Sequence, residues 1–208
     1  MKTRHYHSEL RARQASERRR AILTAAHGSF SQRGIDRVTV AEIAALAGVA
    51  ASTVYAAFGS KEGLLAELMR AALFGPRFEA ARARLDAEPD PVEAIRLTAS
   101  VARAVYEGEH EQLGLLRGAS AFAPSLAQIE HQFEQTRYEM QRERVERLHH
   151  AGRLSAQLSL DEARRVLWAL TNRELYRSLV GVAGWSPDRY EGWLGHTLVA
   201  QLVAESPQ

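Results

Sequence analysis

The sequence predicts an all-α protein of about nine helices, and three observations lead to that fold class. Apolar residues recur every three or four positions along most of the chain, which is the spacing of one helix face. Helix starts and ends are marked by capping residues, prolines and glycines. The one β-branched cluster, RVTV at residues 37–40, is too short for a strand and leads directly into a helix cap.

The first third of the chain contains signals for four helices. Their starts are marked by Ser16, by the capping box Thr39-Val-Ala-Glu42 and by Ser60, and two ends are marked by Gly34 and Gly48. The first helix carries the apolar stripe Ile22, Ala26 and Phe30. Two short helices follow over residues 40–47 and about 51–57, and the fourth begins after Ser60.

The rest of the chain also predicts helices. Their starts are marked by Asp90-Pro91, Pro124, the capping box Ser159-Leu-Asp-Glu162 and Ser186-Pro187, and two ends by Gly152 and by Gly181 to Gly184. The helix after Pro124 carries Leu126, Ile129, Phe133, Arg137, Met140, Arg144 and Leu148 on one face. We expect Leu113 and Leu116 to lie in a short connecting helix.

The composition excludes several classes of protein. With 208 residues, of which 46% are hydrophobic and 25% charged, the chain is long enough to bury a sizeable core. It has no run of about eighteen apolar residues, so we expect no membrane partner and a cytoplasmic location. The absence of cysteine excludes disulfides, thiolate metal sites and cysteine nucleophiles.

Positive charge is concentrated at the N-terminal end. Residues 1–60 carry a net charge of +5, whereas residues 61–208 carry −3. We call the first cluster of cations the basic arm: Lys2, Arg4, Arg11, Arg13, Arg18, Arg19 and Arg20. Such clustering is typical of contact with a polyanion, although a solvated tail can have the same composition.

The two short helices around Gly48 predict a helix-turn-helix, because they are joined by a turn of three to four residues that contains glycine. Ile43, Ala47, Val49 and Val54 supply the apolar positions that lock the pair together. The residues left facing outward are Ala51, Ser52, Thr53, Tyr55 and Ala56. An exposed tyrosine among small residues suits close approach to a DNA duplex, but an ordinary helical hairpin would show a similar pattern.

The segment TVAEIAALAGVAASTVYAAFGSKEGLLAEL, residues 39–68, resembles the DNA-binding domain of the TetR family of bacterial transcriptional repressors. The resemblance implies that Thr39, Tyr55 and Lys61 hold DNA phosphates. Together with the outward residues and the basic arm, the predicted DNA contacts are Thr39, Ala51, Ser52, Thr53, Tyr55, Lys61, Arg4, Arg11 and Arg13. We expect the arm to enter the minor groove beside each half-site. The usual capping serine is replaced by Ala50, which weakens the second helix by about 1 kcal/mol.

The C-terminal segment, residues 166–202, resembles the last two helices of many TetR-like regulators, which implies a homodimer. The last helix is also apolar over more than half of its circumference. The predicted interface residues are Leu175, Leu179, Tyr190, Trp193, Leu194, Leu198 and Leu202. A two-fold dimer predicts a palindromic operator with half-sites about 34 to 36 Å apart.

The resemblance further implies an effector-binding and dimerisation domain over residues 61–208, after a DNA-binding domain over residues 1–60. A small-molecule effector would bind among the middle helices and release the protein from double-stranded DNA, with Gly75-Pro76 as a joint. Candidate pocket residues are Phe74, Phe78, Tyr106, Phe122, Phe133, Trp168, Asn172 and Tyr176. Aromatic residues at this spacing are equally what an ordinary helical core contains.

Two other functions compete with a ligand-responsive repressor. Glu107-x-x-His110 and Glu146-x-x-His149 have the spacing used by di-iron carboxylate bundles, which would make the chain an oxidoreductase. A helical interaction protein with a vestigial helix-turn-helix is the other alternative. Because neither a Ser-His-Asp arrangement nor a glycine-rich phosphate loop is recognisable, we expect a non-enzymatic protein without a cofactor or metal.

Overall fold

The computed structural model describes the backbone of residues 2–120 and 124–204 and the side chains of residues 11–108, 128 and 131–204. It confirms the all-α prediction. The helices are α1 (Lys2–Arg33), α2 (Val40–Leu46), α3 (Ala51–Phe58), α4 (Lys61–Leu73), α5 (Pro76–Asp86), α6 (Pro91–Ser120), α7 (Pro124–Met140), α8 (Arg142–His150), α9 (Leu160–Leu170), α10 (Arg173–Tyr176), a π-helical segment (Arg177–Val182) and α11 (Pro187–Leu202).

The chain forms two compact units. One contains Met1–Ala71 and Gln112–Ile129, and the other contains Ala72–Glu111 and Glu130–Gln208. The functional boundary expected between residues 60 and 61 stays a prediction. Within the described residues no single helix is long and apolar enough to cross a membrane, and only the bent pair formed by α2 and α3 meets the criteria of length and composition.

The first unit is built around the buried face of α1. Ile22, Ala26 and Phe30 are almost fully buried, as their spacing predicts. The predicted start of this helix at Ser16 is wrong, because α1 begins at Lys2 and Ser16 lies in its interior. The residues before Ser16 include Glu, Leu, Arg and Gln, which favour helix, and Arg13 pairs with Glu17 one turn later at 3.0 Å.

The second unit packs α11 against α6, α8 and α9. Its core contains Ile95 of α6, Leu148 of α8 and Leu167 of α9 together with one face of α11. Gly195 of α11 lies so close to α6 that an added Cβ would be 3.3 Å from the Arg96 carbonyl oxygen. A larger residue would therefore push these two helices apart.

Helix boundaries in the second half differ from the predictions in three places. The single helix predicted from Pro124 to Gly152 is divided at Gln141 into α7 and α8. There is no separate connecting helix for Leu113 and Leu116, because α6 continues from Pro91 to Ser120 with Gly108 in its interior. An added Cβ on Gly108 would overlap the carbonyl oxygen of Ala72, so this glycine permits a close crossing. The helix that starts at the confirmed Ser159 capping box is interrupted after Leu170, and α10 with the π-helical segment completes it.

Candidate nucleic-acid interface and central cavity

The turn between α2 and α3 has the geometry of a helix-turn-helix. The chain bends by 108° between the two helices. Gly48 has a φ of +67°, and its N–H donates to the Ala45 carbonyl while the Val49 N–H donates to the Ala44 carbonyl at 2.9 Å. These two bonds form a Schellman motif, which ends α2 and needs a left-handed residue at Gly48. Backbone conformation rather than close packing requires this glycine, since no atom lies within 4 Å of an added Cβ.

The start of α2 is held by the predicted capping box. The Thr39 Oγ1 accepts from the Glu42 N–H at 3.2 Å, and the Thr39 N–H donates to the Glu42 carboxylate at 2.7 Å. Arg33 donates to the other carboxylate oxygen at 2.8 Å. The backbone hydrogen bond from Thr39 and the side-chain bonds from Arg33 and Thr39 lower the pKa of Glu42 from 4.5 to about 2. Thr39 itself is exposed, although its hydroxyl already serves the cap.

Helix α3 presents a small, exposed face. Val54 is its only buried residue among those described, at 1% exposure, whereas Tyr55 is 53% exposed. Ser52 and Ala56 are exposed, and Ala51 and Thr53 are half-buried. The N-cap residue Ala50 makes no side-chain hydrogen bond, because its methyl group is neither a donor nor an acceptor. The outward direction of Tyr55 leaves its hydroxyl available to an external partner.

A clamp that the sequence did not predict holds the C-terminal end of α3. Arg19 of α1 donates to the Ala57 carbonyl at 3.1 Å and pairs with Glu67 of α4 at 2.9 Å. Its guanidinium carbon lies 4.4 Å from the centroid of the Phe58 ring, a cation–π distance. Arg19 therefore connects three helices and orients the exposed face of α3. The contact joins residues 38 positions apart, so no local sequence signal marks it.

The start of α4 holds the loop before α2. The Lys61 ammonium donates to the Ile35 carbonyl at 3.0 Å and to the Val38 carbonyl at 3.4 Å. An ammonium has three donors, so one remains for a phosphate, and the predicted DNA contact of Lys61 stays a prediction. Gly63 lies against the end of α3, where an added Cβ would overlap the Phe58 carbonyl oxygen.

The basic arm is a continuation of α1 rather than an extended tail. Arg11 and Arg13 are exposed, Arg13 is paired with Glu17, and the side chain of Arg4 lies outside the described residues. An α-helix is about 10 to 12 Å wide and the minor groove about 6 Å, so the predicted minor-groove entry requires the arm to unwind. A helical arm can contact backbone phosphates without unwinding.

The second unit contains a small cavity of about 50 Å³. Four of the eight predicted pocket residues line it, Phe74, Phe78, Tyr106 and Phe133. Trp168 and Asn172 instead line a separate, open groove of about 770 Å³. Tyr176 packs in the core between Tyr106 and Tyr190, with ring centroids 5.7 and 4.9 Å away, and Phe122 lies outside the described residues.

Polar side chains close one side of the cavity. Arg137 donates to the Glu134 carboxylate at 2.6 Å, to the Trp168 carbonyl at 2.8 Å and to the Thr171 hydroxyl at 2.9 Å. Gln141 and Arg144 line the same cavity on the next turns of the chain. The sequence pattern places Arg137 and Arg144 on the apolar face of the helix after Pro124 without predicting a role for them in the pocket, and it does not single out Gln141.

A comparison with protein families decides the identity of the first unit. Residues 22–68 match the family described as "Bacterial regulatory proteins, tetR family", and this segment contains the helix-turn-helix. Residues 22–68 therefore resemble the DNA-binding part of bacterial regulatory proteins of the tetR family. No protein of curated function matches the sequence of the chain.

Solved structures share the fold of this chain over nearly its whole length. NalD of Pseudomonas aeruginosa, the secondary repressor of the MexAB-OprM multidrug efflux pump, is 23% identical with a TM-score of 0.69, covering 93% of this chain and 100% of its own. FadR of Bacillus subtilis, solved with stearoyl-CoA, is 18% identical with a TM-score of 0.66, covering 86% and 97%. A transcriptional regulator of Saccharomonospora viridis, solved with choline, is 22% identical with a TM-score of 0.64, covering 91% and 100%.

Four residues predicted for the dimer interface have no exposed surface to offer a second subunit. Tyr190, Leu194, Leu198 and Leu202 are 0% exposed in the single chain and belong to its own core, which corrects their assignment. Periodicity identifies an apolar helix face but does not tell whether the same chain or a second copy covers it. Trp193 is exposed, and Leu175 and Leu179 are half-buried.

The residues proposed for a di-iron site do not come together within the described part of the chain. Among the described residues no group of three or more His, Cys, Asp or Glu side chains is placed to hold a metal ion. Glu107 pairs with Arg103 at 3.1 Å, and Arg103 also contacts Asp188 and Glu191 of α11. The side chain of His110 lies outside the described residues.

Proposed function

We propose that this chain is a cytoplasmic, non-enzymatic repressor of the TetR family. It binds a palindromic DNA operator as a homodimer and leaves it when a small-molecule effector enters the second unit. The observation that carries the proposal is the exposed face of α3, with Tyr55 at its centre and only Val54 committed to the core. A helix of this kind is offered to the major groove in helix-turn-helix proteins.

The DNA contacts divide into two groups by their chemistry. In this proposal Tyr55, Lys61 and Thr39 contact phosphates, which sets affinity and orientation. Ala51, Ser52 and Thr53 are the side chains of α3 available to base edges. Because all three are small, base discrimination depends on few hydrogen bonds. Arg4, Arg11 and Arg13 of the basic arm add charge contacts to the backbone of the same duplex, which makes affinity fall with salt.

The homodimer is supported by an apolar surface in the second unit, the Trp surface, which consists of the exposed Val182 and Trp193 and the half-buried Trp185. Val182 is 76% exposed and Trp193 is 36% exposed. The two indole rings pack edge to face with centroids 5.8 Å apart, so they form one surface. Leu175 and Leu179 are half-buried and contribute less area. Burying such a surface against a second copy removes apolar area from water and places two α3 helices on one duplex.

Effector binding is supported by the central cavity and by its aromatic lining. Structures of the same fold have been solved with stearoyl-CoA and with choline, so this fold accommodates small molecules of different chemistry. Phe74 lies between the end of α4 and Pro76, the first residue of α5. A ligand that moves Phe74 would therefore act at the predicted Gly75-Pro76 joint. Coupling of this kind typically changes DNA affinity by about 5- to 150-fold.

The decisive experiment starts from the purified protein and fragmented genomic DNA. Fragments retained by the protein are sequenced, and affinity for the shared site is measured by fluorescence anisotropy. We expect a palindromic site and a loss of affinity of roughly tenfold or more for Tyr55→Phe, which removes only the phosphate-binding hydroxyl. Leu160→Ala is the control because Leu160 is an exposed residue of α9 in the other unit. A folded protein that retains no fragment at low salt would contradict the proposal.

A further inference from the structure

The apolar part of the central cavity is a cluster of aromatic rings. The Phe74 ring lies 4.9 Å from Phe78 and 5.6 Å from Phe133, in tilted and edge-to-face arrangements. Such clusters favour a further ring in the same geometry. Met140, an unbranched and adaptable side chain, lines the same wall. These residues select an apolar, ring-bearing ligand.

Gln141 places an unpaired acceptor in this cavity. Its residue is 2% exposed, and its Nε2 donates to the Thr171 hydroxyl at 2.8 Å. The amide orientation is determined because the Thr171 hydroxyl donates to the Leu167 carbonyl at 2.7 Å and can only accept from Gln141. The Gln141 Oε1 is buried without a hydrogen-bond partner among the described residues. A buried acceptor in this state costs free energy that a donor on a ligand would recover.

Arg144 brings a buried cation to the same cavity. It follows Gln141, the N-cap residue of α8, by three residues and is only 7% exposed. No described residue forms a hydrogen bond or ion pair with its guanidinium. Burial is the main cause that lowers its pKa, and the negative charges of Asp86 and Glu143 act against that shift. Asp86 itself is paired with Arg82 at 3.2 Å.

The other charges on the wall do not neutralise Arg144. The Glu134 carboxylate accepts from Arg137 at 2.6 Å and from the Trp168 indole N–H at 3.1 Å. The cavity therefore combines aromatic walls, one free acceptor and the positive charge of Arg144, and buried charges of this kind are normally paired.

We propose that the effector is a small aromatic carboxylic acid, bound as its anion with the carboxylate on Arg144, the ring among Phe74, Phe78 and Phe133, and a ring hydroxyl donating to Gln141 Oε1. The inference rests on the proposed effector role of this cavity. A cavity of about 50 Å³ holds only a few waters, so the ring enters by displacing Phe74 and Met140. That displacement couples occupancy to the joint before α5.

Calorimetric titration of the full-length protein with benzoate and benzamide at pH 7.5 tests the carboxylate contact. The two probes have the same shape and differ in charge. We expect benzoate to bind at least tenfold more tightly than benzamide, since a charge-assisted hydrogen bond is lost with the amide. Arg144→Gln should remove this preference, and Arg144→Lys should retain part of it. Arg142→Gln is the matched control, because Arg142 lies in α8 like Arg144 but is exposed and pairs with Glu139 of α7.

A second titration tests the acceptor. We expect 3-hydroxybenzoate to bind more tightly than benzoate in the wild type, and Gln141→Leu to abolish that gain while keeping the preference for carboxylate over amide. Thermal unfolding of each variant establishes that it is folded. Equal affinity for benzoate and benzamide, no binding of either, or an unchanged preference in Arg144→Gln would overturn the inference. Failure of the protein to bind any DNA would contradict the proposed repressor role without changing these titrations.

Discussion

Glu42 combines a structural role in the helix-turn-helix with a lowered pKa. Its carboxylate accepts from the Thr39 N–H and hydroxyl and from Arg33, which lowers the pKa from 4.5 to about 2. A carboxyl group whose pKa is lower in the folded state stabilises the fold when it is ionised. This stabilisation is fully present above pH 4.5 and is lost as the pH falls through about 2.

Glu42→Gln should therefore lower the thermal unfolding midpoint at pH 7. The difference from the wild type should shrink as the pH falls from 4.5 to about 2, where the wild-type carboxyl also becomes neutral. Circular dichroism melts at a series of pH values measure this. Glu17→Gln is the control, because Glu17 is an exposed residue of α1 that only pairs with Arg13. A difference that stays constant across the whole pH range would show that the cap does not act through its charge.

Local interactions were the part of the site that the sequence could predict. Thr39 and Glu42 are three residues apart, so their hydrogen bonds follow from helix geometry. Arg19 and Lys61 contact backbone carbonyls 38 and 26 residues away, and no periodicity marks such pairs. The unpaired state of Arg144 could not be predicted either, because the sequence shows a cation on an apolar stripe but not which carboxylates reach it.

At the scale of the helix, α3 is missing one of its stabilising contacts. Its N-cap Ala50 has extended backbone angles (φ −74°, ψ 148°) that suit a capping side chain, yet it makes no such bond. Ala50→Ser should stabilise the protein by about 1 kcal/mol, because the hydroxyl can accept an unpaired N–H of the first turn. The midpoint should rise by about 2 to 4 °C.

Ala56→Ser is the matched control for Ala50→Ser, because Ala56 is an exposed interior position of the same helix. A serine at this position cannot cap the helix and has a lower helix propensity than alanine. We therefore expect the free energy of unfolding to fall by about 0.5 kcal/mol. Calorimetric melts of both variants against the wild type measure the two changes. Equal effects of the two serines would show that capping is not the cause.

The junction of α3 and α4 depends on Gly63. A methyl group there would overlap the Phe58 carbonyl oxygen, and backbone cannot move aside as a flexible side chain does. We expect Gly63→Ala to destabilise the protein by about 1–3 kcal/mol through overpacking. Because α3 is displaced, operator affinity should fall more than it does for other substitutions that lower the free energy of unfolding by the same amount. Chemical unfolding and anisotropy with the selected operator measure the two effects.

Gly28→Ala in α1 is the control for Gly63→Ala, because no atom lies within 4 Å of an added Cβ. It should stabilise the helix by about 0.5–1 kcal/mol. If Gly63→Ala also stabilised the protein, the close contact between α3 and α4 would be contradicted.

At the scale of the whole molecule, the fold class was predictable because helix periodicity and caps recur along the whole chain. The distinction between a core and an interface was not predictable. Leu194 and Leu198 lie on the buried face of α11, whereas Trp193 lies beside them on its exposed face. Adjacent residues of the helix therefore lie in different environments. The pattern of a broad apolar face does not show which of its residues are buried within the chain and which are exposed. The same limit applies to the pocket, where Tyr106 lines the cavity and its neighbour Tyr176 does not.

The Trp surface makes the homodimer testable. Trp193→Glu introduces a charge where we propose that a second subunit packs, and Trp193 is exposed enough for the single chain to tolerate it. Aromatic anchors of interfaces typically contribute about 2 kcal/mol or more, so the dimer dissociation constant should rise roughly 30-fold or more. Sedimentation velocity over a range of protein concentrations measures this, and Leu160→Glu on α9 should leave the dimer intact. Operator affinity should fall in parallel, because a monomer offers one α3 to a two-fold site. A Trp193→Glu protein that remains dimeric would place the interface on another surface.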